Sequence, residues 1–267
     1  MTEGGSIIPR GDFFSLPGGF VASYVWASHI ISGVVLDTGC GYGYGADFLA
    51  KNTANYVVGI DNDPSAINFS HNNYKHQNLD FALIDLTHIA MRRGRCDAVV
   101  SFEVLEHLTY PYRYLKEVAN VLRIGGHFLL STPNRCYTQR FYVDGRSSNY
   151  YHIREYYPTE MERILSNFFE IRGIYRHFHP DDLLPDVDGS VRRRCSLEIL
   201  MGIPIKIRKL TPEPFKRLWQ RCVGGSNGKY YGRYDEFRIE HVTTIDQVSC
   251  EFPTQIYDCV PLQRAGT

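Results

Sequence analysis

The amino-acid sequence predicts an α/β fold with a doubly wound parallel sheet, because short apolar runs alternate with longer amphipathic runs between residues 34 and 178. The apolar runs are the predicted strands, at residues 34–37, 56–61, 81–85, 97–101, 127–132 and 169–178. The amphipathic runs are the predicted helices, at residues 45–51, 64–75, 111–123 and 158–167. Strands separated by helices in this way form a parallel sheet that is covered on both faces.

Local signals at the ends of the predicted helices support this assignment. Asp63 precedes the proline that opens the second helix, and Glu162 lies three residues after Thr159 at the start of the fourth. The Gly125-Gly126 pair is expected to end the third helix and to turn the chain into the next strand.

Composition limits the class of protein. The chain has 267 residues, with 29 Lys and Arg against 29 Asp and Glu, so we expect one folded domain that does not bind a polyanion over its whole surface. The seven cysteines include no Cys-x-x-Cys pair, so we expect reduced thiols and neither a zinc site nor a disulfide framework. No segment has the roughly 18 continuous apolar residues that span a bilayer, so a soluble, cytoplasmic protein is expected.

The alternation of strands and helices fails after residue 178. We therefore divide the single domain into an N-terminal cap at 1–33, a core at 34–178, an inserted segment at 179–255 and a final edge or antiparallel strand at 256–262. Between Val191 and Arg221 the insertion has nine Lys and Arg against two acids. Such a patch suits an RNA backbone, a nucleotide-sugar diphosphate or the phosphate of a lipid-linked glycan, and a solvated helix face is the alternative.

A glycine-rich loop directly follows the first predicted strand. From Asp37 onward it has the pattern Asp-x-Gly-x-Gly-x-Gly, with glycines at 39, 41 and 43. Glycines let a backbone approach a ligand closely, and the N–H groups of the following helix point toward that ligand. The dinucleotide fingerprint Gly-x-Gly-x-x-Gly would need glycine at position 44, where Tyr44 stands, so NAD-dependent oxidoreduction is disfavoured.

Carboxylates end the next two predicted strands. Asp61 lies 22 residues after Gly39, where an open α/β sheet holds the two ribose hydroxyls of a nucleoside. Asp85 ends the following strand and is placed to accept a hydrogen bond from an adenine amino group. A solvated turn acid is the alternative for each residue alone, but the ordered set with Asp37 and the glycines favours a nucleoside site.

These segments resemble class I S-adenosylmethionine (SAM)-dependent methyltransferases. The matching residues are VVLDTGCGYGYG (34–45), VVGIDND (57–63), CDAVVSFEVLEHL (96–108) and VLRIGGHFLLSTPNR (121–135). The resemblance implies SAM as cofactor and a Rossmann-like seven-stranded sheet with an antiparallel last strand. It implies that the glycines pack against the amino-acid part of SAM, that Asp61 binds its ribose and that Asp85 lies near adenine. The expected cofactor-binding residues are Asp37, Gly39, Cys40, Gly41, Gly43, Asp61, Asn62, Asp85, Leu86 and Phe102.

Two carboxylates and an imidazole follow the fourth strand, at the end of the sheet where ligands bind. In a helical turn, Glu103, Glu106 and His107 would stand at i, i+3 and i+4 on one face. Mixed oxygen and nitrogen ligands suit Mg²⁺, Mn²⁺ or Fe²⁺. His152 follows the next strand and is expected above the same end of the sheet. A solvated acid pair and histidines without a ligand are the alternative.

The pattern ExxEH with a distant histidine is similar to the metal-ligand set of small-RNA 3′-terminal 2′-O-methyltransferases. That resemblance implies Glu103, Glu106, His107 and His152 as ligands of the ion that holds the ribose hydroxyls. A second resemblance, to the glycan-biosynthesis branch with its mycobacterial polysaccharide O-methyltransferases, covers more segments. These segments are GGSIIP (4–9), GCGYGYGADFLA (39–50), FEVLEHL (102–108), STPNR (131–135) and YYHIREY (150–156). The chain departs from that branch's GERxIP-like and NPFHxRE-like segments at Gly5-Ser6 and Tyr150-Tyr151.

The sequence therefore predicts a SAM-dependent O-methyltransferase that acts on a sugar hydroxyl of a glycan or glycosylated metabolite. His152 or His107 is expected to be the catalytic base or a ligand of the divalent ion. Six tyrosines crowd the segment expected to face the sugar, namely Tyr137, Tyr142, Tyr150, Tyr151, Tyr156 and Tyr157. Their rings can stack on pyranose faces, and packing in the core or at the rim is the alternative. The alternative acceptor is a terminal RNA ribose, a quinone or another small molecule. The alternative class of protein is a SAM-binding module without turnover. The sequence is also compatible with a homodimer.

Overall fold

A mixed sheet of eight strands forms the centre of the protein, in a computed structural model that describes residues 2–3, 6–7, 18–52, 56–147, 149–178, 238–242 and 254–262. A separate pair of short strands, β1 (Thr2–Glu3) and β2 (Ser6–Ile7), precedes it. The sheet strands are β3 (Val34–Thr38), β4 (Tyr56–Asp61), β5 (Leu79–Leu83), β6 (Cys96–Phe102), β7 (Leu122–Pro133), β8 (Phe169–Phe178), β9 (Arg238–Val242) and β10 (Thr254–Pro261). The helices are α1 (Gly18–Ser28), α2 (Tyr44–Asn52), α3 (Pro64–Asn73), α4 (Pro111–Val121), α5 (Arg135–Thr138) and α6 (Pro158–Leu165), and 3-10 turns lie at Leu105–His107 and Gln139–Phe141.

The strand order creates a binding crevice near the middle of the sheet. The order is β5-β4-β3-β6-β7-β10-β8-β9, in which β3 to β7 pair in parallel and β10 is antiparallel to both of its neighbours. The order reverses between β3 and β6, and doubly wound sheets bind ligands at the carboxyl ends of the strands beside such a reversal. The predicted Rossmann-like sheet with an antiparallel last strand is confirmed, and β9 adds an eighth strand at its edge.

Two predicted boundaries were wrong. Strand β5 covers Leu79–Leu83, so Asp85 lies two residues beyond the strand that was expected to end with it. The Gly125-Gly126 pair does not end α4, because that helix stops at Val121 and β7 begins at the next residue. The register jumps from Leu122 opposite Cys96 to His127 opposite Ala98, so the glycines lie in a bulge of β7. Gly125 adopts a φ of 75° there, which glycine tolerates at low cost.

Apolar side chains cover both faces of the sheet and hold the helices on it. On one face, α4 and α6 pack against the strands through buried residues such as Leu115 and Ile164. On the other face, α1 and α2 pack through residues such as Val21 and Leu49. Burial of one such side chain contributes about 1.5–3 kcal/mol to the free energy of unfolding, so both helix layers stabilise the sheet. Helix α1 was not predicted, because its apolar residues surround the helix and form no single stripe.

A buried hydroxyl network joins α4 to the strands beneath this edge. The Tyr114 hydroxyl lies 2.6 Å from Thr38 Oγ1 and 2.7 Å from Ser101 Oγ, and all three side chains are buried.

We expect Tyr114→Phe to lower the free energy of unfolding by about 1–3 kcal/mol, because the buried hydroxyls of Thr38 and Ser101 lose a hydrogen-bond partner. Urea unfolding measures this change. Tyr112→Phe, on an exposed ring of the same helix, is the control, and an equal loss in both variants would contradict the role of the network.

Several sequence predictions concern residues that the structure does not describe. The basic stretch Val191–Arg221 lies outside the described residues, and so does most of the segment 179–255, of which 238–242 and 254–255 are described. Within the described ranges, no helix combines the length and apolar character that a membrane crossing requires.

The cysteines that the structure describes differ in their state. Cys40, Cys96 and Cys259 are free and buried, as predicted. Cys136 is disulfide-bonded, so the prediction of reduced thiols was wrong at this position. Cys136 is half-buried on the short helix α5, whereas the three free cysteines are enclosed by the core.

Candidate functional site

The glycine loop between β3 and α2 turns sharply at the carboxyl edge of the sheet. Gly39, Gly41 and Gly43 have φ angles of 70°, 52° and 78°, in the left-handed region that favours glycine. A Cβ atom on Gly39 would lie 2.6 Å from Val104 Cγ2, so the loop packs directly on the segment that follows β6. The loop therefore has the backbone geometry that close approach to a ligand requires.

Asp61, at the end of β4, holds this loop through its carboxylate. Oδ2 accepts a hydrogen bond from the Gly41 N–H at 2.8 Å, and Oδ1 accepts one from the Asp63 N–H at 2.9 Å. Each carboxylate oxygen has a second lone pair, so Asp61 can accept two more hydrogen bonds. Two ribose hydroxyls donate that number, and binding of ribose by Asp61 stays a prediction.

Asp37 is fully buried at the end of β3 and is bound by a tyrosine that the sequence did not reveal. The Tyr24 hydroxyl of α1 lies 3.2 Å from each carboxylate oxygen and donates to them. Burial raises the pKa of Asp37 to about 8, although the hydrogen bond from Tyr24 lowers it, and the charge of Asp61 raises it further. A cation bound beside Asp37, such as the ammonium group of an amino acid, would favour its ionised form.

The other predicted cofactor residues fall into two groups. Three have side chains buried in the core, namely Cys40, Leu86 and Phe102, so their contact with a cofactor would come from the backbone. Asn62 and Asp85 are exposed. Asp85 Oδ1 accepts hydrogen bonds from the Thr87 N–H at 2.8 Å and the Thr87 hydroxyl at 2.9 Å, which lower the pKa of Asp85. Asp85 is thus an exposed turn residue beyond the end of β5.

Glu106 is a fully buried acid in the 3-10 turn that follows β6. Its Oε2 accepts a hydrogen bond from Thr132 Oγ1 at 2.9 Å. Its Oε1 is buried and has no hydrogen-bond partner among the described residues. Burial raises the pKa of Glu106, and the charge of the neighbouring Glu103 raises it further. A carboxylate in this position requires a proton or another cation.

His107 and His152 face each other beside Glu106, with ring centroids 5.0 Å apart. His107 Nδ1 lies 2.9 Å from the Tyr151 carbonyl oxygen, and His152 Nδ1 lies 2.6 Å from Glu155 Oε1. These oxygens accept hydrogen bonds, so each histidine carries its proton on Nδ1 and a lone pair on Nε2. Glu106, His107 and His152 each present one ligand atom within 4.8 Å of the others.

Glu103 departs from the predicted arrangement. The helical turn begins only at Leu105, and Glu103 precedes it with a φ of 57°, which is unusual for a residue other than glycine. The Glu103 carboxylate accepts a hydrogen bond from Ser131 Oγ at 2.7 Å. Three of the four predicted ligands therefore converge, and Glu103 lies outside that group, because it is not on the face of the turn that the i, i+3 spacing assumed.

Sequence reasoning missed Glu155, which holds His152 in place. The Glu155 carboxylate is buried and accepts hydrogen bonds from His152, Ser147 and Thr138, and from the Tyr142 hydroxyl at 3.1 Å. Burial raises the pKa of Glu155, but these hydrogen bonds outweigh burial and lower the pKa to about 2. The His-x-x-Glu spacing was the available signal. Asn149 Nδ2 also lies 2.8 Å from His152 Nε2 and donates to it.

The donor set at this site fits a divalent cation. Glu106 supplies an unpartnered carboxylate oxygen, and both histidines have an Nδ1 proton held by an oxygen acceptor, as metal-ligating histidines usually do. Without an ion, His107 Nε2 can instead accept a proton from a substrate, and His152 Nε2 can do so only in exchange for the hydrogen bond from Asn149.

The six tyrosines predicted near the acceptor occupy different environments. Tyr150 is 94% exposed and Tyr151 is 42% exposed, on the loop that carries His152. Tyr142 and Tyr157 are half-buried and flank Arg135. Tyr156 is fully buried in the core, so its ring does not face an acceptor, which corrects the prediction for this residue. Tyr137 is half-buried under Arg140.

Residues 36–130 match the model of a family described as a methyltransferase domain. The matched range begins in β3 and ends in β7, so it contains the glycine loop, Asp61, Glu106 and His107, while His152 lies beyond it.

Curated relatives match a longer part of the chain. A "Probable S-adenosylmethionine-dependent methyltransferase" from Mycobacterium tuberculosis is 35% identical over 176 residues, which are 64% of this chain and 62% of that protein. A "Ubiquinone biosynthesis O-methyltransferase" from Coxiella burnetii is 33% identical over 111 residues, which are 41% of this chain and 47% of that protein. The chain thus covers less than two thirds of the length of either relative.

A solved structure has the same fold. The SAM-dependent methyltransferase from Thermotoga maritima aligns with a TM-score of 0.59, over 91% of this chain and 88% of that chain. The two sequences are 10% identical, so the similarity concerns the fold alone. The sheet described above is therefore the Rossmann-like methyltransferase fold.

Proposed function

We propose that the chain is a class I SAM-dependent methyltransferase and that it transfers the methyl group of SAM to a sugar hydroxyl of a glycan or glycosylated metabolite, supported by the methyltransferase-domain match at residues 36–130 and by the related SAM-dependent methyltransferases. SAM would lie across the glycine loop, with its ribose on Asp61. The acceptor would approach from the side of His107 and His152, whose turn packs on that loop through Val104.

The convergence of Glu106, His107 and His152 is the observation that carries this proposal. An alcohol is a very weak acid. The enzyme must therefore remove the hydroxyl proton and hold the oxygen in line with the methyl carbon. His107 has an Nε2 lone pair beside a buried carboxylate, and the Nε2 lone pair of His152 accepts a hydrogen bond from the Asn149 side-chain amide, which a proton or an ion would have to displace. A base or a metal ligand needs such a lone pair. A nucleophile that already has a free lone pair and carries no proton to be removed would not need this group, and a hydroxyl does need it.

We also propose that Glu106, His107 and His152 hold a divalent cation, with Mg²⁺, Mn²⁺ and Fe²⁺ as candidates. Such an ion lowers the pKa of a hydroxyl bound to it and so makes the oxygen nucleophilic at neutral pH. Glu106 would contribute its unpartnered Oε1, and the Tyr151 carbonyl and Glu155 would keep both imidazoles in the tautomer that binds metals.

Aromatic side chains around the cluster support a sugar as the acceptor. Tyr150 and Tyr151 are exposed on the loop of His152, and Tyr142 and Tyr157 are half-buried nearby. Amphipathic rings of this kind stack on the apolar faces of a pyranose while their hydroxyls form hydrogen bonds. The resemblance of several segments to polysaccharide O-methyltransferases points to the same class of acceptor.

The test is methyl transfer from labelled SAM to a panel of neutral and acidic oligosaccharides, with and without EDTA. We expect a labelled sugar ether whose formation stops with EDTA and returns when one of the three ions is added. Labelling that ignores EDTA would remove the metal from the proposal. The absence of labelling on every oligosaccharide would overturn the sugar assignment.

A terminal RNA ribose is a second acceptor that the same cluster can serve, because its adjacent hydroxyls can both bind one ion. Binding of short RNA, measured over a range of salt concentrations, tests this alternative. Phosphate contacts impose a steep decrease of affinity with salt, so weak binding that does not depend on salt would exclude it.

A phenolic precursor of a quinone, or another small molecule with a phenolic hydroxyl, is a third acceptor, favoured by the relative from Coxiella burnetii whose name states ubiquinone biosynthesis. A phenol is much more acidic than a sugar hydroxyl and depends less on a metal. Transfer to a catechol that continues in EDTA, without transfer to any sugar, would favour this acceptor. SAM binding without methyl transfer to any acceptor would instead indicate a binding module.

The Glu155→Gln variant tests the support that the imidazoles receive. We expect divalent-ion affinity to fall by about 10–100-fold, the usual effect of losing a carboxylate that holds a ligating histidine. Isothermal titration calorimetry with Mn²⁺ measures it in the absence of SAM and acceptor. Glu160→Gln is the control, because the Glu160 carboxylate also forms a charged hydrogen bond, but with Arg154 and not with a histidine of the cluster. Unchanged Mn²⁺ affinity in a folded Glu155→Gln variant would contradict the expectation.

A further inference from the structure

Arg135 is a cation placed between two tyrosine rings at the end of β7. It is the first residue of α5, and its N–H donates to the Tyr156 carbonyl oxygen at 3.0 Å, which fixes the backbone beside the loop of His152. Its guanidinium carbon lies 5.6 Å from the Tyr142 ring centroid and 5.1 Å from the Tyr157 ring centroid. The tyrosines thus hold the planar side chain in one orientation.

In the part of the chain that the structure describes, the Arg135 guanidinium forms no ion pair, and its buried Nε has no acceptor. A half-buried cation with an unpaired donor is costly, because the lost hydration is not replaced. An arginine whose plane is held by aromatic rings keeps its donor edge in the fork geometry that matches a carboxylate or phosphate.

Arg135 is close to the candidate catalytic cluster through shared contacts. The hydroxyl of Tyr142, one of the two rings at Arg135, donates to Glu155 Oε2 at 3.1 Å. The other oxygen of that carboxylate accepts from His152 Nδ1 at 2.6 Å. Two side chains therefore separate Arg135 from His152, so a group bound by Arg135 would belong to the molecule that presents its hydroxyl at the cluster.

We propose that Arg135 binds an anionic oxygen group of the acceptor, the carboxylate of a uronic acid or the phosphate of a sugar phosphate, and so selects acidic sugars. This inference rests on the proposed function, because it names the class of sugar that the same site accepts. The oxygens would accept hydrogen bonds from the donor edge of the guanidinium, and Tyr142 and Tyr157 would flank the sugar ring. Arg135 is a specificity residue in this arrangement and takes no part in proton removal.

Binding without turnover provides the test. The protein is saturated with S-adenosylhomocysteine and titrated by calorimetry with methyl glucuronide, with glucose 6-phosphate and with neutral methyl glucoside. We expect at least one anionic probe to bind more tightly than the neutral one, and Arg135→Gln to weaken that probe alone by roughly 10- to 100-fold. Arg135→Lys keeps the charge without the planar fork and should recover only part of the affinity. The stronger anionic probe identifies the carboxylate or the phosphate as the recognised group.

Arg140→Gln is the matched control. Arg140 also lies over a tyrosine, 4.4 Å from the Tyr137 ring centroid, but it is exposed and follows Arg135 by five residues. An equal loss in both variants would reduce the effect to general surface charge and overturn the inference, as would equal binding of all three probes by the unaltered protein. The labelled-methyl assay is a second, independent test. Methyl transfer to neutral sugars that is unchanged in Arg135→Gln would refute only the inference about Arg135. The absence of transfer to any sugar would refute the proposed function.

Discussion

Replacement of His152 by alanine is expected to lower kcat for methyl transfer by about 10²- to 10⁴-fold, the range found when a positioned base is removed. Affinity for S-adenosylhomocysteine should stay unchanged, since the proposed arrangement has His152 on the acceptor side of the glycine loop and not in contact with the cofactor. The loop of His152 is also tied to the site by the Ile153 and Arg154 N–H groups, which donate to the Glu106 carbonyl oxygen at 2.8 and 3.1 Å. The variant should therefore keep its fold.

The measurement is single-turnover transfer of labelled methyl to the best oligosaccharide, together with calorimetry for Mn²⁺. A loss of kcat with a loss of Mn²⁺ affinity assigns His152 as a ligand, and a loss of kcat alone assigns it as the base. His127→Ala is a matched control. His127 Nδ1 also lies 2.9 Å from a carboxylate oxygen, Oδ1 of Asp258, but His127 lies near the start of the part of β7 that pairs with β6. Normal turnover in His152→Ala would refute both roles.

The Asp61→Ala variant is expected to weaken binding of S-adenosylhomocysteine by about 10²-fold or more. Hydrogen bonds to a charged group contribute about 1.5–3 kcal/mol each, and two ribose hydroxyls would lose their acceptor. The variant also frees the Gly41 N–H, so the glycine loop loses one of its contacts to β4 and keeps the hydrogen bonds from the Gly39 and Cys40 N–H groups to the Ile60 carbonyl oxygen. Calorimetry measures the dissociation constant, and circular dichroism confirms that the fold is retained.

Asp63→Ala separates cofactor binding from loss of helix stability. Asp63 lies two residues away and caps α3 by accepting from the Ser65 and Ala66 N–H groups. Loss of this cap costs about 0.5–2 kcal/mol of stability, but it removes no predicted contact to the ribose. Equal weakening of ligand binding in both variants would show that Asp61 acts through the fold and not through the ribose.

Much of the fold was predictable because hydrophobic periodicity is local. The predicted limits of β4 and β8 agree with the observed limits. Each of the four predicted helices begins within two residues of the observed start. Strand β9 was not predicted, because its pairing with β8 depends on residues far apart in sequence. The bulge in β7 was missed for a related reason: Gly125-Gly126 has the same sequence signal whether it ends a helix or interrupts a strand.

The candidate site was predictable in its residue types and less so in its geometry. Glu106, His107 and His152 converge as their places after neighbouring strands suggested. Glu103 does not join them, because its left-handed backbone turns the side chain toward Ser131, and no sequence signal marks a positive φ at a glutamate. The partners of the reactive groups, Tyr24 and Glu155, were found only from three-dimensional contacts.

The position of β10 inside the sheet has a consequence for how the chain folds. β8 and β9 reach the parallel strands only through β10, which pairs with β7 on one side and β8 on the other. The β7–β10 pairing joins residues as distant as Phe128 and Cys259, and such long loops close slowly. Until β10 is in place, β7 presents an open strand edge, which is prone to pair with another chain. We therefore expect refolding yields to depend on protein concentration, with aggregation competing until this late strand is inserted.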